Sequence, residues 1–357
     1  MDHETARTIA AAQQADGSIP WEPGRHVDPW NHVEAAMGMA VAGLRDEAEA
    51  AYTWLARTQN PDGSWFAAYR DGHATDRSRD TSFTAYVAVG VRHHWLLTGD
   101  TRFLTRMRPM VSRALDFVVA LQAPDGRIPW RLNRFGVATE EVMLAGCSSI
   151  HQALLCAADL ATDLDQPPTR WRAAADLLRQ AITNAPDTFT TKPHAMDWYY
   201  PVLCGVLTPA TASTRIAEGW DRFVAPGLGV RCVHDQPWVT GGETAELALA
   251  LATRGRHDTA RELLRDIARL RHTDGSYWTG YQYANQVLWP SERATWTAGA
   301  ILLAHAAIAD EPATHQTFTT SLHTDHPATD SPPDGPRSRP TGDTATPSWT
   351  AGSSVAT

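Results

Sequence analysis

Lysine is almost missing from this chain: Lys192 stands alone, and every other basic side chain is an arginine. Lys and Arg together number 31 against 40 Asp and Glu, a formal charge of −9. That shortage of positive charge argues against a general nucleic-acid or anionic-membrane binder, since both partners demand a basic face. Long apolar runs are also missing, and none approaches the roughly 18–20 residues that span a bilayer. The opening Met1-Asp2-His3-Glu4 has no basic stretch followed by an apolar one, so no signal peptide is expected. The four cysteines (Cys147, Cys156, Cys204, Cys232) show no Cys-x-x-Cys spacing and read as reduced, buried thiols of a cytoplasmic protein. No His-Glu-x-x-His, Cys/His cluster, phosphate-binding Gly-x-x-x-x-Gly-Lys-Ser/Thr or Gly-x-Ser-x-Gly occurs. His93 and His94 are helix neighbours that face different ways, and His26 and His32 merely flank Asp28. No metal and no cofactor are therefore expected.

Tryptophan, by contrast, is abundant: 14 residues, against 8 each of Tyr and Phe. Hydrophobic residues make up 43% of the 357, enough for a large core. The composition changes near Asp310, after which Thr, Ser, Pro, Asp and His dominate. Residues 311–357 offer no apolar face to dock and are expected to be a disordered tail behind a folded unit of residues 1–310.

Within the folded unit one loop recurs. Gln13-Gln-Ala-Asp-Gly17-Ser leads to Trp21, Gln59-Asn-Pro-Asp-Gly63-Ser to Trp65, and Gln122-Ala-Pro-Asp-Gly126-Arg to Trp130. Arg271-His-Thr-Asp-Gly275-Ser leads to Tyr277 and Trp278. Asp-Gly is turn chemistry, and four copies imply a repeat architecture. The segments before these loops have one apolar face (Ala48, Ala51, Tyr52, Leu55; Ala260, Leu263, Leu264, Ile267), whereas 243–252 and 296–308 are apolar nearly all round. A helix apolar on every side is surrounded by others. Pairing each amphipathic helix with the buried one after it gives six hairpins: 3–15 with 29–43, 45–58 with 80–98, 102–121 with 140–161, 168–184 with 197–207, 212–223 with 237–253, and 256–271 with 291–308. The fold expected is an all-α (α/α)6 toroid; the structural alternative is an open helical solenoid.

This topology gathers the starts of the inner helices at one rim, and each start carries an acid. Asp28 and Glu34, Asp80, Glu140 and Glu141, Asp197, Asp235 with Glu243, and Glu292 are the residues concerned. Capping of free backbone N–H groups accounts well for Asp80 and Asp235. It accounts less well for glutamates, so the candidate catalytic carboxyls are Glu141 and Glu292 first, then Asp28 and Asp235. The rim aromatics Trp30, Trp198, Tyr199, Tyr200, Trp238, Trp289, Trp296 and Tyr281 are candidate substrate-binding faces, able to steady a carbocation or to stack on sugar rings.

The four loops resemble the Gln-x-x-x-Gly-x-Trp repeat of the terpenoid cyclase and protein prenyltransferase β-subunit superfamily, whose members are α/α toroids. Gln59, Gly63 and Trp65 match it fully; Gln13/Gly17/Trp21 and Gln122/Gly126/Trp130 match with two extra residues, and Arg271/Gly275/Tyr277 with two replacements. The superfamily's Asp-x-Asp-Asp has only Asp163-Leu-Asp165-Gln166 as a counterpart, and no Asp-x-Cys zinc motif is present. The resemblance implies an enzyme acting on an isoprenoid or a prenylated small molecule, with a rim carboxyl as proton donor. The acid- and Trp-rich rim also resembles six-hairpin glycosidases and sugar epimerases, which implies a glycan-like substrate and paired carboxylates. A non-catalytic binding toroid is the third alternative.

Overall fold

The structure, a computed structural model, describes residues 2–319. It is an (α/α)6 toroid. The inner ring consists of α2 (Pro29–Val41), α4 (Thr81–Thr98), α6 (Leu144–Asp163), α8 (Ala195–Leu203), α10 (Gly241–Ala252) and α12 (Thr295–Ile308). The outer ring consists of α1 (His3–Ala12), α3 (Arg45–Thr58), α5 (Thr101–Ala120), α7 (Thr169–Asn184), α9 (Pro209–Phe223) and α11 (His257–Asp266). Each inner helix packs on the next, and α12 packs on α2 to close the ring. Closure rests on two glycines: a Cβ at Gly38 would lie 2.6 Å from the Gly299 Cα, and one at Gly299 would lie 2.6 Å from the Glu34 carbonyl oxygen. Only hydrogen at both positions lets the two backbones approach this closely.

The hairpins run the other way from the pairing read in the sequence. Each outer helix lies mainly on the inner helix before it (α3 on α2, α5 on α4, α7 on α6, α9 on α8, α11 on α10), and α1 lies on α12. Short turns at the foot join these pairs, while long connections at the rim lead on to the next inner helix. The Asp-Gly loops sit in four of those rim connections and staple neighbouring outer helices. Gln13 Nε2 donates to the Gly17 carbonyl (3.0 Å) and to the Glu47 carbonyl on α3 (2.9 Å). Gln59 repeats this with Gly63 (2.8 Å) and Met110 on α5 (2.9 Å), and Gln122 with Gly126 and Ala174 on α7 (both 3.0 Å). In the fourth copy Arg271 pairs with Glu4 on α1 at 2.5 Å. All four glycines have φ between +90° and +95°. Trp65 folds back on the preceding helix and donates to the Leu55 carbonyl at 3.0 Å.

The rim also holds strands, which the sequence reading did not expect. β1 (Ala68–Arg70) pairs with β2 (His73–Asp76), and β3 (Arg79–Asp80) with β4 (Arg131–Leu132). The strands β5 (Val224–Ala225), β6 (Gly229–Arg231), β7 (Trp238–Thr240), β8 (Gly280–Gln282) and β9 (Val287–Leu288) form one antiparallel sheet. Inner helices expected from 140, 237 and 291 accordingly begin at Leu144, Gly241 and Thr295, because the residues before them are extended.

A thirteenth helix, α13 (Pro312–Thr319), packs on α4 and α12 at the foot. Phe318 is buried, His93 Nε2 lies 3.1 Å from Thr314 Oγ1, and Gln152 Nε2 donates to the Thr317 carbonyl (3.1 Å). The folded unit thus runs past residue 310, because Ala313 and Phe318 supply the apolar face that composition averaging hid. The rest of the expected tail, 320–357, lies outside the described residues. Among the described residues no helix is long and apolar enough to cross a membrane.

Candidate active site

At the rim end the inner ring opens into a cavity of about 210 Å³ to which all six inner helices contribute. Trp30 and Asn31 come from α2, Ser82 and Phe83 from α4, Ala145 and Gly146 from α6, Met196 and Tyr200 from α8, Glu243 from α10 and Trp296 from α12. The position of all but Tyr200, which stands in the second turn of α8, is a first-turn effect: an inner helix has its apolar sides against neighbours, so residues near its N-terminus reach the open end. Glu243 is the carboxyl that lines this cup, among the described residues, and it is nearly buried. Thr240 Oγ1 donates to Glu243 Oε2, and the Cys232 thiol hydrogen-bonds the same carboxyl. Burial, followed by the charge of Glu243, pushes that thiol up, so Cys232 remains a proton donor to the carboxylate.

Asp28 stands at the start of α2. Its Oδ1 accepts from the Asn31 backbone N–H (3.0 Å) and its Oδ2 from Asn31 Nδ2 (2.5 Å), and His26 Nε2 is 3.6 Å away. Trp296 contacts the helix that carries Glu243, and a chain of rings leads from it through Trp21 and His26 toward Asp28. The Trp296 ring rests on α10 at Gly242, where a Cβ would overlap the indole. On its other side Trp296 meets Trp21 at 6.2 Å, and Trp21 stacks on His26 at 5.8 Å, beside Asp28.

Beneath the cup is a second layer of carboxyls. Trp30 stacks on Tyr86 with ring centroids 4.1 Å apart, and the Tyr86 hydroxyl donates to Glu34. Tyr199 and Tyr200 both donate to Glu246, the latter at 2.6 Å. Burial pushes Glu34 up to about 7. Burial also holds Glu246 well above the usual carboxyl range, and the neighbouring Glu34 charge adds to the effect.

The structure does not bring the first two candidates to the cup. Glu141 is exposed in the extended segment before α6, where its carbonyl accepts from Trp130 N–H at 2.7 Å. The Glu292 side chain faces Arg25 (4.0 Å) and Thr279 Oγ1 (3.5 Å). Asp235 is exposed in the turn between β6 and β7 rather than at a helix start, with Gln236 Nε2 3.2 Å from its Oδ1. Of the aromatics, Trp30, Tyr200 and Trp296 line the cup and Tyr199 supports Tyr200 from behind. Trp198 is packing: it stacks on Phe223 at 5.1 Å and donates to the Arg215 carbonyl at 2.7 Å. Trp238, Trp289 and Tyr281 belong to the rim sheet and its β9 end, where Trp238 Nε1 donates to the Trp289 carbonyl at 2.7 Å. The sequence reading missed Glu246, Tyr86, Asn31, Phe83 and Met196. Glu246 had a signal, since an acid within a helix otherwise apolar all round must have buried partners.

No family model matches the chain. Over 306 residues, 85% of this chain and 85% of the relative, it is 48% identical to the MMP endo-(1,4)-3-O-methyl-α-D-mannosidase of Mycolicibacterium hassiacum. Among solved structures it resembles a glycosidase (TM-score 0.70, 16% identity, covering 86% of this chain and 96% of that one). It also resembles a D-mannose isomerase (TM-score 0.65, 12% identity, 86% and 95%) and a sugar epimerase from a ruminal bacterium (TM-score 0.64, 10% identity, 86% and 96%). The structural likenesses establish the fold. The mannosidase relative overturns the terpenoid cyclase and prenyltransferase reading, and with it the isoprenoid substrate and the isomerase or transferase class. The reason is physical: the Gln-x-x-x-Gly-x-Trp loop staples outer helices and supplies no lining residue of the cup, so it reports a toroid and not a chemistry.

Proposed function

This chain belongs to the family of the MMP endo-(1,4)-3-O-methyl-α-D-mannosidase, and on that footing we propose that it is an endo-acting glycoside hydrolase that cuts α-(1→4) bonds between 3-O-methyl-mannose units. The observation that carries the reading at the level of chemistry is Glu243, a hydrogen-bonded carboxyl facing an aromatic cup. Hydrolysis needs two carboxyls: one protonates the departing glycosidic oxygen as the C1–O bond breaks, and the other takes the proton of the attacking water or attacks C1 itself. Asp28, the buried carboxyl at the start of the helix that brings Trp30 and Asn31 to the cup, is the partner. Trp30, Phe83, Met196 and Trp296 give the sugar faces and their methyl ethers an apolar surface, which suits a methylated hexose better than a bare one. Trp238 and the exposed Trp289 on the rim sheet provide stacking faces for further units of a polymer.

The test is incubation of the purified chain with an α-(1→4)-linked 3-O-methyl-mannose oligomer and with its unmethylated counterpart. Shorter oligomers should form from internal cleavage of the methylated one. Glu243→Gln and Asp28→Asn should each lower kcat by roughly 10²–10⁴-fold with circular dichroism unchanged. A substrate with a fluoride leaving group needs no proton donor, so the variant that still turns it over identifies the acid. Wild-type turnover by both variants would remove the pair from the mechanism, and absence of cleavage by the wild type would remove the activity.

A further inference from the structure

The foot of the ring, away from the sugar cup and independent of its chemistry, holds a second group of side chains with ligand character. His257 opens α11, Asp310 follows the end of α12, and His315 lies on α13, so three elements converge on one point. Asp310 Oδ1 is 3.5 Å from His257 Nε2 and 3.4 Å from His315 Nε2, and one ligand atom from each of the three lies within 4.8 Å of the others. A tetrahedral zinc ion with bonds of about 2.0–2.1 Å sets neighbouring ligand atoms about 3.3 Å apart, so both measured edges have the length a shared metal requires.

Two further features favour a cation here. Asp310 is a non-glycine residue at φ +54, a left-handed backbone that turns the chain at the end of α12 between the two histidines. The Ala307 carbonyl accepts from His315 Nε2–H at 2.9 Å, so a metal takes this nitrogen only when its proton shifts to Nδ1 and this bond is given up. The C-terminal end of α12, with its outward carbonyls, is the negative end of the helix dipole. The two imidazoles are half-buried and the carboxylate is exposed, which leaves an open side for water to complete the shell.

We propose that His257, Asp310 and His315 form a divalent transition-metal site, zinc by its ligand set, that ties the last outer helix to α13 and so locks the foot of the toroid. Two neutral imidazoles and one carboxylate suit Zn²⁺ and other borderline ions rather than Mg²⁺ or Ca²⁺, which favour oxygen ligands. The site holds the fold together and takes no part in glycoside cleavage.

The experiment uses the tag-free full-length chain, stripped with a chelator and desalted, then titrated calorimetrically with Zn²⁺ and followed by visible absorption with Co²⁺. The expected result is one Zn²⁺ per chain with micromolar or tighter affinity, together with the intense visible bands of low-coordinate cobalt. Zn²⁺ should raise the Tm of the wild type. His257→Gln and Asp310→Asn should each weaken binding by about tenfold or more and abolish that rise. Zinc should also protect His257 and His315 from diethylpyrocarbonate in the wild type, a readout that does not depend on the variants folding. No stoichiometric binding by the wild type, equal binding by both variants, or unprotected histidines would overturn the proposal.

Discussion

The two ends of the ring are built on different terms. At the foot, inner helix passes to outer helix through short turns: 42–44, 99–100, 164–168, 204–208 and 253–256. At the rim, the connections 13–28, 59–80, 121–143, 224–240 and 267–294 are long enough to carry loops and strands. Foot turns decide only which helices are neighbours. Rim segments must also hold charged groups beside apolar rings, and that is where function concentrates on a rigid scaffold. The difference teaches that substitutions at the rim separate into two kinds, those that empty the cup of chemistry and those that unfasten the outer ring.

Glu243→Gln should show the first kind in pure form and with the largest effect. Its kcat loss on the methylated oligomer corresponds to about 3–5 kcal/mol of transition-state stabilisation, while Tm stays within the small change expected of an isosteric swap. A matched fall in Tm would place Glu243 among the structural residues.

Phe318→Ala sharpens the foot side. Its ring is buried under α13, so truncation should cost about 3–5 kcal/mol in urea unfolding with sugar cleavage intact. Unchanged stability would mean that α13 does not close the foot in solution.

Gly63→Val belongs to the second kind of rim change. The residue sits at φ +95, and a Cβ there would overlap the Arg113 carbonyl on α5. Strain and overpacking together should cost about 2–4 kcal/mol. The foot glycine Gly99 gives the contrast: it has φ +63 but nothing within 4 Å of its would-be Cβ. Gly99→Ala should therefore cost about 1 kcal/mol, the backbone penalty alone. Equal losses at the two positions would break the distinction between the ends.

The last test concerns the buried layer. Glu34 is pushed up from 4.5 to about 7 in the folded chain, so between those values folding takes up a proton. Wild-type stability should fall as pH rises through this window and level off above it. Glu34→Gln removes the titrating group, and its Tm-against-pH curve should lack that slope. Parallel curves would show that Glu34 does not titrate there.

Much of the architecture was readable because it is local. The 3.6-residue spacing of Ala260, Leu263 and Leu264 marks an outer helix, the nearly all-apolar stretch from Trp296 to Ile308 marks an inner one, and Asp-Gly with a preceding Gln, or Arg271 in the fourth copy, marks each staple. These signals depend on neighbours a few residues away, which the chain carries with it. The helix starts were less legible, since Glu141 and Glu292 lie in extended segments and Asp235 in a turn between strands, all with a conformation that depends on distant strands or loops. Which carboxyl faces the cup was decided only by closure of the ring. Gly38 against Gly299 brings α2 to α12, the Trp296 ring then rests on α10 at Gly242 beside Glu243, and α13 brings His315 to His257. Local spacing can specify a helix face, but two residues from opposite ends of a chain acquire a shared environment, and with it their chemistry, only through tertiary packing.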